Sequence, residues 1–106
     1  MPIPFQIWLP RQLKQQFDSY IPGQGVEQDY FVIDLISDYV TGKIQRDQIK
    51  GQDRPREVPV IIYIMGLHAD EVWSRFQEIC ANESKDPFKV IVDLIDFGIN
   101  SRGHQR

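Results

Sequence analysis

The stretch Val32-Ile33-Asp34-Leu35-Ile36-Ser37-Asp38-Tyr39-Val40 returns 59 residues later as Ile91-Val92-Asp93-Leu94-Ile95-Asp96-Phe97-Gly98-Ile99. Val32, Asp34, Leu35, Ile36 and Val40 align with Ile91, Asp93, Leu94, Ile95 and Ile99. Upstream, Leu13, Phe17 and Ile21 align with Val72, Phe76 and Cys80 at the same offset. The register holds without a gap for about forty residues, and an internal repeat of this size outranks every other fold signal in a sequence. Two amphipathic helices can share spacing by chance, but chance does not also align the helices before them. Each copy reads as strand, helix, helix. A unit this small cannot bury its own apolar face, so the two copies are expected to pack on each other.

Working outward from that helix, Ile3, Phe5, Ile7 and Leu9 alternate with Pro4, Gln6 and Trp8, the period of a half-buried strand. Pro10 suits the first turn of a helix, where a missing N–H costs nothing. Leu13, Phe17, Tyr20 and Ile21 then form one helical face, which Pro22-Gly23-Gln24-Gly25 stops. A second helix is predicted from about Glu27 to Val40, apolar nearly all round, with Gly42 as its stop. In the second copy, Val60 to Met65 is a β-branched apolar run. Val60, Ile62 and Ile64 are expected to face inward, and Ile61, Tyr63 and Met65 outward. A helix over Ala69–Asn82 buries Val72, Phe76, Ile79 and Cys80. Asp86 and Pro87 form a helix start, as cap and first residue, for the run Phe88 to Ile99.

The expected fold is mainly α with a short β-ribbon, in the order β-α-α-β-α-α. The units occupy residues 1–42 and 58–100, the linker 43–57, and a flexible polar tail 101–106. The expected core contains Phe5, Ile7, Leu13, Phe17, Val32, Leu35, Ile36, Ile62, Ile64, Val72, Phe76, Ile79, Ile91, Leu94 and Ile95.

At 106 residues, 42% hydrophobic and 25% charged, the chain fits one compact domain. No apolar run approaches the roughly 20 residues that span a membrane, and the first residues lack the basic region of a secretory signal. Cys80 stands alone on an apolar face, which fits a buried residue in a reducing, cytoplasmic compartment. His68 and His104 read as a turn and a tail residue. No nucleophile–base pair, glycine-rich phosphate cradle or metal-ligand spacing is present, so neither an enzyme nor a cofactor is expected.

Net charge is −3, but from Lys43 to Arg56 five cations, Lys43, Arg46, Lys50, Arg54 and Arg56, stand against only Asp47 and Asp53, a local net of +3 that leaves −6 elsewhere. This linker reads as a solvated loop, as an arm for a DNA backbone, where cations release counterions from phosphate, or as a docking segment for an acidic partner. Ile44 and Ile49 suggest that part of it is helical.

Leu9-Pro10-Arg11-Gln12-Leu13, closing an alternating strand, resembles the Leu-Pro-x-x-Leu opening of the ribbon-helix-helix family, that of the Arc and MetJ repressors. The second copy keeps the helix pattern but carries Met65-Gly66-Leu67-His68 at that place. Family members are usually homodimers whose strands pair as an antiparallel ribbon over four interlocked helices. The resemblance therefore implies a single-chain pseudodimer. It also implies a DNA-binding, repressor-like regulator whose ribbon enters the major groove while helix N-termini hold phosphates. Carried over, the base-reading positions are Pro4, Gln6, Trp8, Ile61, Tyr63 and Met65. The phosphate clamps lie near Gly25 and Val26 and near Ser84 and Lys85, with the five linker cations as further candidates.

The residues depart from this pattern. Base readers are normally Arg, Lys, Asn, Gln, Ser or Thr, and among the six only Gln6 is a good one, with Tyr63 usable. Trp8, Tyr63 and Met65 suit burial under another element, a protein-binding surface, or DNA. The alternative to DNA is a non-enzymatic adaptor that binds a protein partner on its apolar ribbon face. The apolar helices also permit a homo-oligomer. Placement of the linker cations discriminates: beside the ribbon they favour DNA, behind the helices they do not.

Overall fold

A computed structural model of the chain describes residues 3–21 and 26–102. Strand β1 (Ile3–Leu9) is followed by helices α1 (Arg11–Tyr20) and α2 (Val26–Thr41), a 3₁₀ turn (Arg46–Gln48), strand β2 (Val58–Ile64), and helices α3 (Ala69–Asn82) and α4 (Pro87–Phe97). A π-helical turn, Gly98–Arg102, extends α4. The fold is thus mainly helical around one two-stranded antiparallel sheet.

The strands pair from Ile3 opposite Ile64 to Leu9 opposite Val58. Phe5, Ile7, Leu9, Val60, Ile62 and Ile64 face inward and are buried. Pro4, Gln6, Pro59, Ile61 and Tyr63 are exposed, and Trp8 is half-buried. Tyr63 donates its backbone N–H not to β1 but to Asp29 Oδ1 on α2, at 3.2 Å. The Pro4–Tyr63 pair is therefore a non-hydrogen-bonded one, and the missing N–H of Pro4 would have pointed away from β2. Trp8–Pro59 lies four positions along and shares that parity. Both prolines thus sit where no ladder bond is lost, and they blunt the outer edges of the ribbon.

Helix α1 follows Pro10 directly, and its Leu13 and Phe17 are buried. Asp86 caps α4, its side chain accepting from the N–H groups of Phe88 and Lys89, with Pro87 in the first turn. β1 packs chiefly on α4 and β2 chiefly on α2. Each strand is therefore covered by the second helix of the other half. Phe5 stacks on Trp73 with centroids 4.9 Å apart, Trp73 stacks on Phe76 at 5.8 Å, and Phe76 meets Tyr39 edge-on at 5.7 Å. This aromatic line ties the ribbon through α3 to α2. A Cβ at Gly98 would come within 3.0 Å of Leu35 and Phe31, so α2 and α4 meet at a distance only glycine allows without readjustment.

Several expectations need correction. β2 starts at Val58 and ends at Ile64, so Met65 is not an outward strand residue. Gly66, with φ of 120°, turns the chain off the strand, and Met65 lies half-buried in the bend. Val72 and Ile79 are only partly buried, while Leu9, Tyr39, Ile44, Ile49, Val60, Val90, Val92 and Ile99 join the core. Most of the linker is exposed, as in a solvated loop, but Ile44 and Ile49 are buried at 3% and 2% exposure and hold it to the core. Ser101 and Arg102 belong to the π-helical turn, and residues 103–106, His104 among them, lie outside the described residues.

Asp29 is 4% exposed, and desolvation by burial pushes its carboxyl above the usual Asp value, partly opposed by the Tyr63 N–H. A raised folded-state pKa means that charging Asp29 costs stability as pH rises through that pKa. An Asp29→Asn variant keeps an acceptor for Tyr63 and loses the charge, so its stability relative to the wild type should improve as pH is raised from about 3 to 6. Asp29→Ala leaves the Tyr63 N–H without its partner and should cost about 1–3 kcal/mol. Urea unfolding at several pH values checks both; a difference between Asn variant and wild type that falls with pH would contradict the assignment.

Candidate binding surface on the ribbon

The outward half of the ribbon is built from three cross-strand pairs: Pro4–Tyr63, Gln6–Ile61 and Trp8–Pro59. Non-hydrogen-bonded pairs bring their side chains close together, so these six form one continuous strip. Ile61 is 51% and Tyr63 43% exposed. The strip holds no charged residue, and Gln6 at its centre is its only side-chain amide. Of the five ribbon candidates, Gln6, Trp8, Ile61 and Tyr63 are brought together, and Met65 is not. Met65 instead lines a separate groove with Ile33, Ile64 and Val72.

The cationic candidates separate widely. Arg56 lies over the Trp8 ring, 5.5 Å from its centroid, at the end of the strip. Lys43 and Lys50 are exposed. Arg46 donates from Nη2 to the Val40 carbonyl at 2.8 Å and from Nε to that of Tyr39 at 3.3 Å, closing the C-terminal end of α2. Arg54 Nε binds Asp93 Oδ1 at 2.9 Å, and its Nη2 binds Asp96 Oδ2 at 3.0 Å. Arg56 therefore stands at the ribbon without an internal ion pair, while Arg46 and Arg54 are spent on internal bonds.

Among the helix-terminus candidates, Lys85 is likewise engaged. Gly25 lies outside the described residues, and Glu27 and Asp29 stand in the first turn of α2. Ser84 is exposed with φ of 57°, and Asp86, not Ser84, caps α4. Lys85 turns inward: its Nζ reaches the Arg46 carbonyl at 2.9 Å, Glu83 Oε1 at 3.0 Å and the Tyr39 hydroxyl at 3.1 Å. Burial pulls the Lys85 pKa down, but the bonds from Tyr39 and Glu83 outweigh it and hold the ammonium above its ordinary value. Burial raises the Tyr39 hydroxyl and pushes the neighbouring Cys80 thiol up to about 11, leaving it a poor nucleophile at neutral pH. Three lysine donors thus fasten α2, the linker and the α3–α4 bend together.

What the sequence reading missed is the tie around Asp93. Its repeat mate Asp34 is exposed, whereas Asp93 is 5% exposed and fully engaged. Besides Arg54, it accepts the N–H groups of Gly51 at 2.7 Å and Gln52 at 3.0 Å through Oδ2. Gly51 has φ of 74°, a conformation that presents two successive N–H groups to one carboxylate oxygen. The linker is thereby pinned against α4, and this places Arg56 beside Trp8. No local signal separates Asp93 from Asp34; only the reach of the linker does.

Between β1, the pinned linker and the start of α4 lies a cavity of about 430 Å³. Trp8, Phe88 and Val92 give it apolar walls, and Arg54, Arg56 and Lys89 bring cations to its lining. Lys89 pairs with Asp53, which holds that carboxyl below and the ammonium above its ordinary value. Asp86 also lines it. Among the described residues no group of three or more His, Cys, Asp or Glu could hold a metal ion, and no helix is long and apolar enough to cross a membrane.

Asp93→Ala should cost about 1–3 kcal/mol, because it leaves two N–H groups without an acceptor and the Arg54 guanidinium with Asp96 as its remaining carboxylate. Arg54→Ala should cost less, since Asp93 keeps both N–H donors. Chemical denaturation checks the order, which reverses if the linker is not held by this carboxylate.

Comparison with protein-family models, with curated proteins and with solved structures finds no match to this chain.

Proposed function

We propose that the chain is a fused ribbon-helix-helix pseudodimer that works as a non-enzymatic binding module for another protein, through the outer face of its ribbon. The pairing register supports the duplication. Pro4 stands opposite Tyr63, the residue 59 positions on, so the repeat offset makes this pair its own mate under a two-fold axis. The exchange of helices, with β1 on α4 and β2 on α2, follows the interlocking of a family dimer.

One observation carries the choice of partner: the strip Pro4, Gln6, Trp8, Pro59, Ile61 and Tyr63 offers apolar surface and no cation. A duplex surface is dominated by phosphate, and most of the affinity for it comes from Lys and Arg. The helix termini that would clamp phosphate carry carboxylates instead, Asp86 at α4 and Glu27 and Asp29 at α2. A protein segment with an apolar anchor fits better. The anchor would enter the cavity between Trp8 and Phe88, and carboxylates beside it would meet Arg56 and Lys89.

The second reading is a DNA-binding transcriptional regulator, and two residues favour it. Gln6 is a competent base reader at the centre of the ribbon, and Arg56 stands at its end.

The two readings separate in one pair of measurements. Selection of a random displayed-peptide library should enrich peptides rich in apolar and acidic residues, and these should lose binding to Ile61→Lys and Trp8→Ala. Anisotropy of a mixed-sequence duplex at low salt should show no binding. Binding that steepens as salt falls and weakens in Gln6→Ala and Arg56→Ala, with no peptide enriched, would overturn the protein-partner reading in favour of DNA.

A further inference from the structure

The two halves differ most where β2 leaves the sheet. In the first half β1 runs through Pro10 straight into α1, whereas in the second Met65-Gly66-Leu67-His68 intervenes before α3. Gly66 accepts from the Ala69 N–H at 3.3 Å, closing a tight turn with Leu67 and His68 at its tip. Leu67 is 93% exposed, far beyond any other large apolar side chain among the described residues. Beside it opens a groove of about 200 Å³, with Ile33, Ile36, Val72 and Trp73 in its walls. Leu67 stands at the mouth of this groove and does not fill it.

We infer that the turn and groove form a two-fold interface between two copies of this chain, with Leu67 of each seated in the groove of the other. A closed dimer needs one patch that contacts itself, so that residue i meets j and j meets i. A projecting apolar side chain adjoining an apolar groove is such a patch. Polar groups agree with this pairing, an imidazole N–H on one copy meeting a carboxylate on the other. Asp34 and His68 both line the groove, so seating Leu67 carries His68 of one copy to the rim where Asp34 of the other stands. Asp34 is also exposed, unlike its repeat mate Asp93. The groove lies at the turn end of β2 and holds none of the ribbon strip residues, so dimerisation is independent of what the ribbon binds.

Sedimentation equilibrium of the full chain, from micromolar to about 1 mM, tests this directly. The wild type should pass from monomer to dimer, and Leu67→Asp should stay monomeric with an unchanged thermal melt, since Leu67 makes no internal packing. Ser37→Phe, which fills the groove from α2, should weaken association by about tenfold or more. Ile61→Lys on the ribbon should leave the dimer intact. A wild type that stays monomeric throughout overturns the inference, as does a dimer that persists in both groove variants or dissociates only with Ile61→Lys.

Discussion

The inward half of the ribbon is what the rest of the molecule depends on. Two seven-residue strands cannot stand alone in water, because an isolated two-stranded sheet is marginal at best. Phe5, Ile7, Leu9, Val60, Ile62 and Ile64 solve this by burying one whole face against helices. Once that face is fixed, the strict period of two leaves no freedom: a slip by one residue would bury Pro4, Gln6 and Tyr63 and expose Phe5. The same parity decides the hydrogen bonding. It gives the ladder bonds to the inward residues and turns the backbone groups of the outward ones away from the partner strand, where Pro4 and Pro59 lack an N–H and Tyr63 donates to Asp29. The outer strip is apolar and closed to strand addition for one geometric reason.

How the helices sit follows from the same constraint. Each strand must be covered, and a helix leaving the end of its own strand is poorly placed to lie across it. Coverage comes from the opposite half, α4 over β1 and α2 over β2. That exchange brings α2 and the end of α4 so close that a Cβ at Gly98 would press on Leu35 and Phe31. It also fixes the start of α4, and with it Asp86 and Lys89, beside the outer edge of β1, where the linker returns.

Most of this was legible from period and punctuation. Alternation along Ile3–Leu9 gives the facing of β1, and Asp86-Pro87 gives the start of α4, because both are local signals. The linker was not legible. Lys43 to Arg56 carries the composition of a solvated loop, and its order comes from contacts distant in sequence: Arg54 to Asp93, Lys85 to the carbonyl of Arg46, and Ile44 and Ile49 to the core. Met65 was misread because a β-branched run predicts where a strand can continue, while Gly66 decides where it stops. Val72 and Ile79 keep the spacing of core residues, but α3 packs at the rim and leaves them half-covered. Among the site residues the ribbon strip was legible by parity. The occupied state of Arg46, Arg54 and Lys85 was not, since composition counts cations without showing which are already paired.

On the fused-dimer reading, covalent linkage accounts for the differences between the halves. In a homodimer every surface feature appears twice, so a charge that helps at one end of the ribbon is repeated at the other. Joining the copies removes that restriction. Asp93 can hold a linker while Asp34 stays exposed; Tyr39 can be a large core residue where its repeat mate Gly98 sits in a tight space; and Arg56 can stand at one end of the strip only. The linker breaks the symmetry, because the carboxylate that anchors it must be buried on one side and not on the other. A ribbon with an aromatic side chain at each end and Arg56 at the Trp8 end alone presents a direction. A directional strip of apolar surface suits an asymmetric protein segment better than a palindromic duplex, whose two half-sites would require the same residues at both ends.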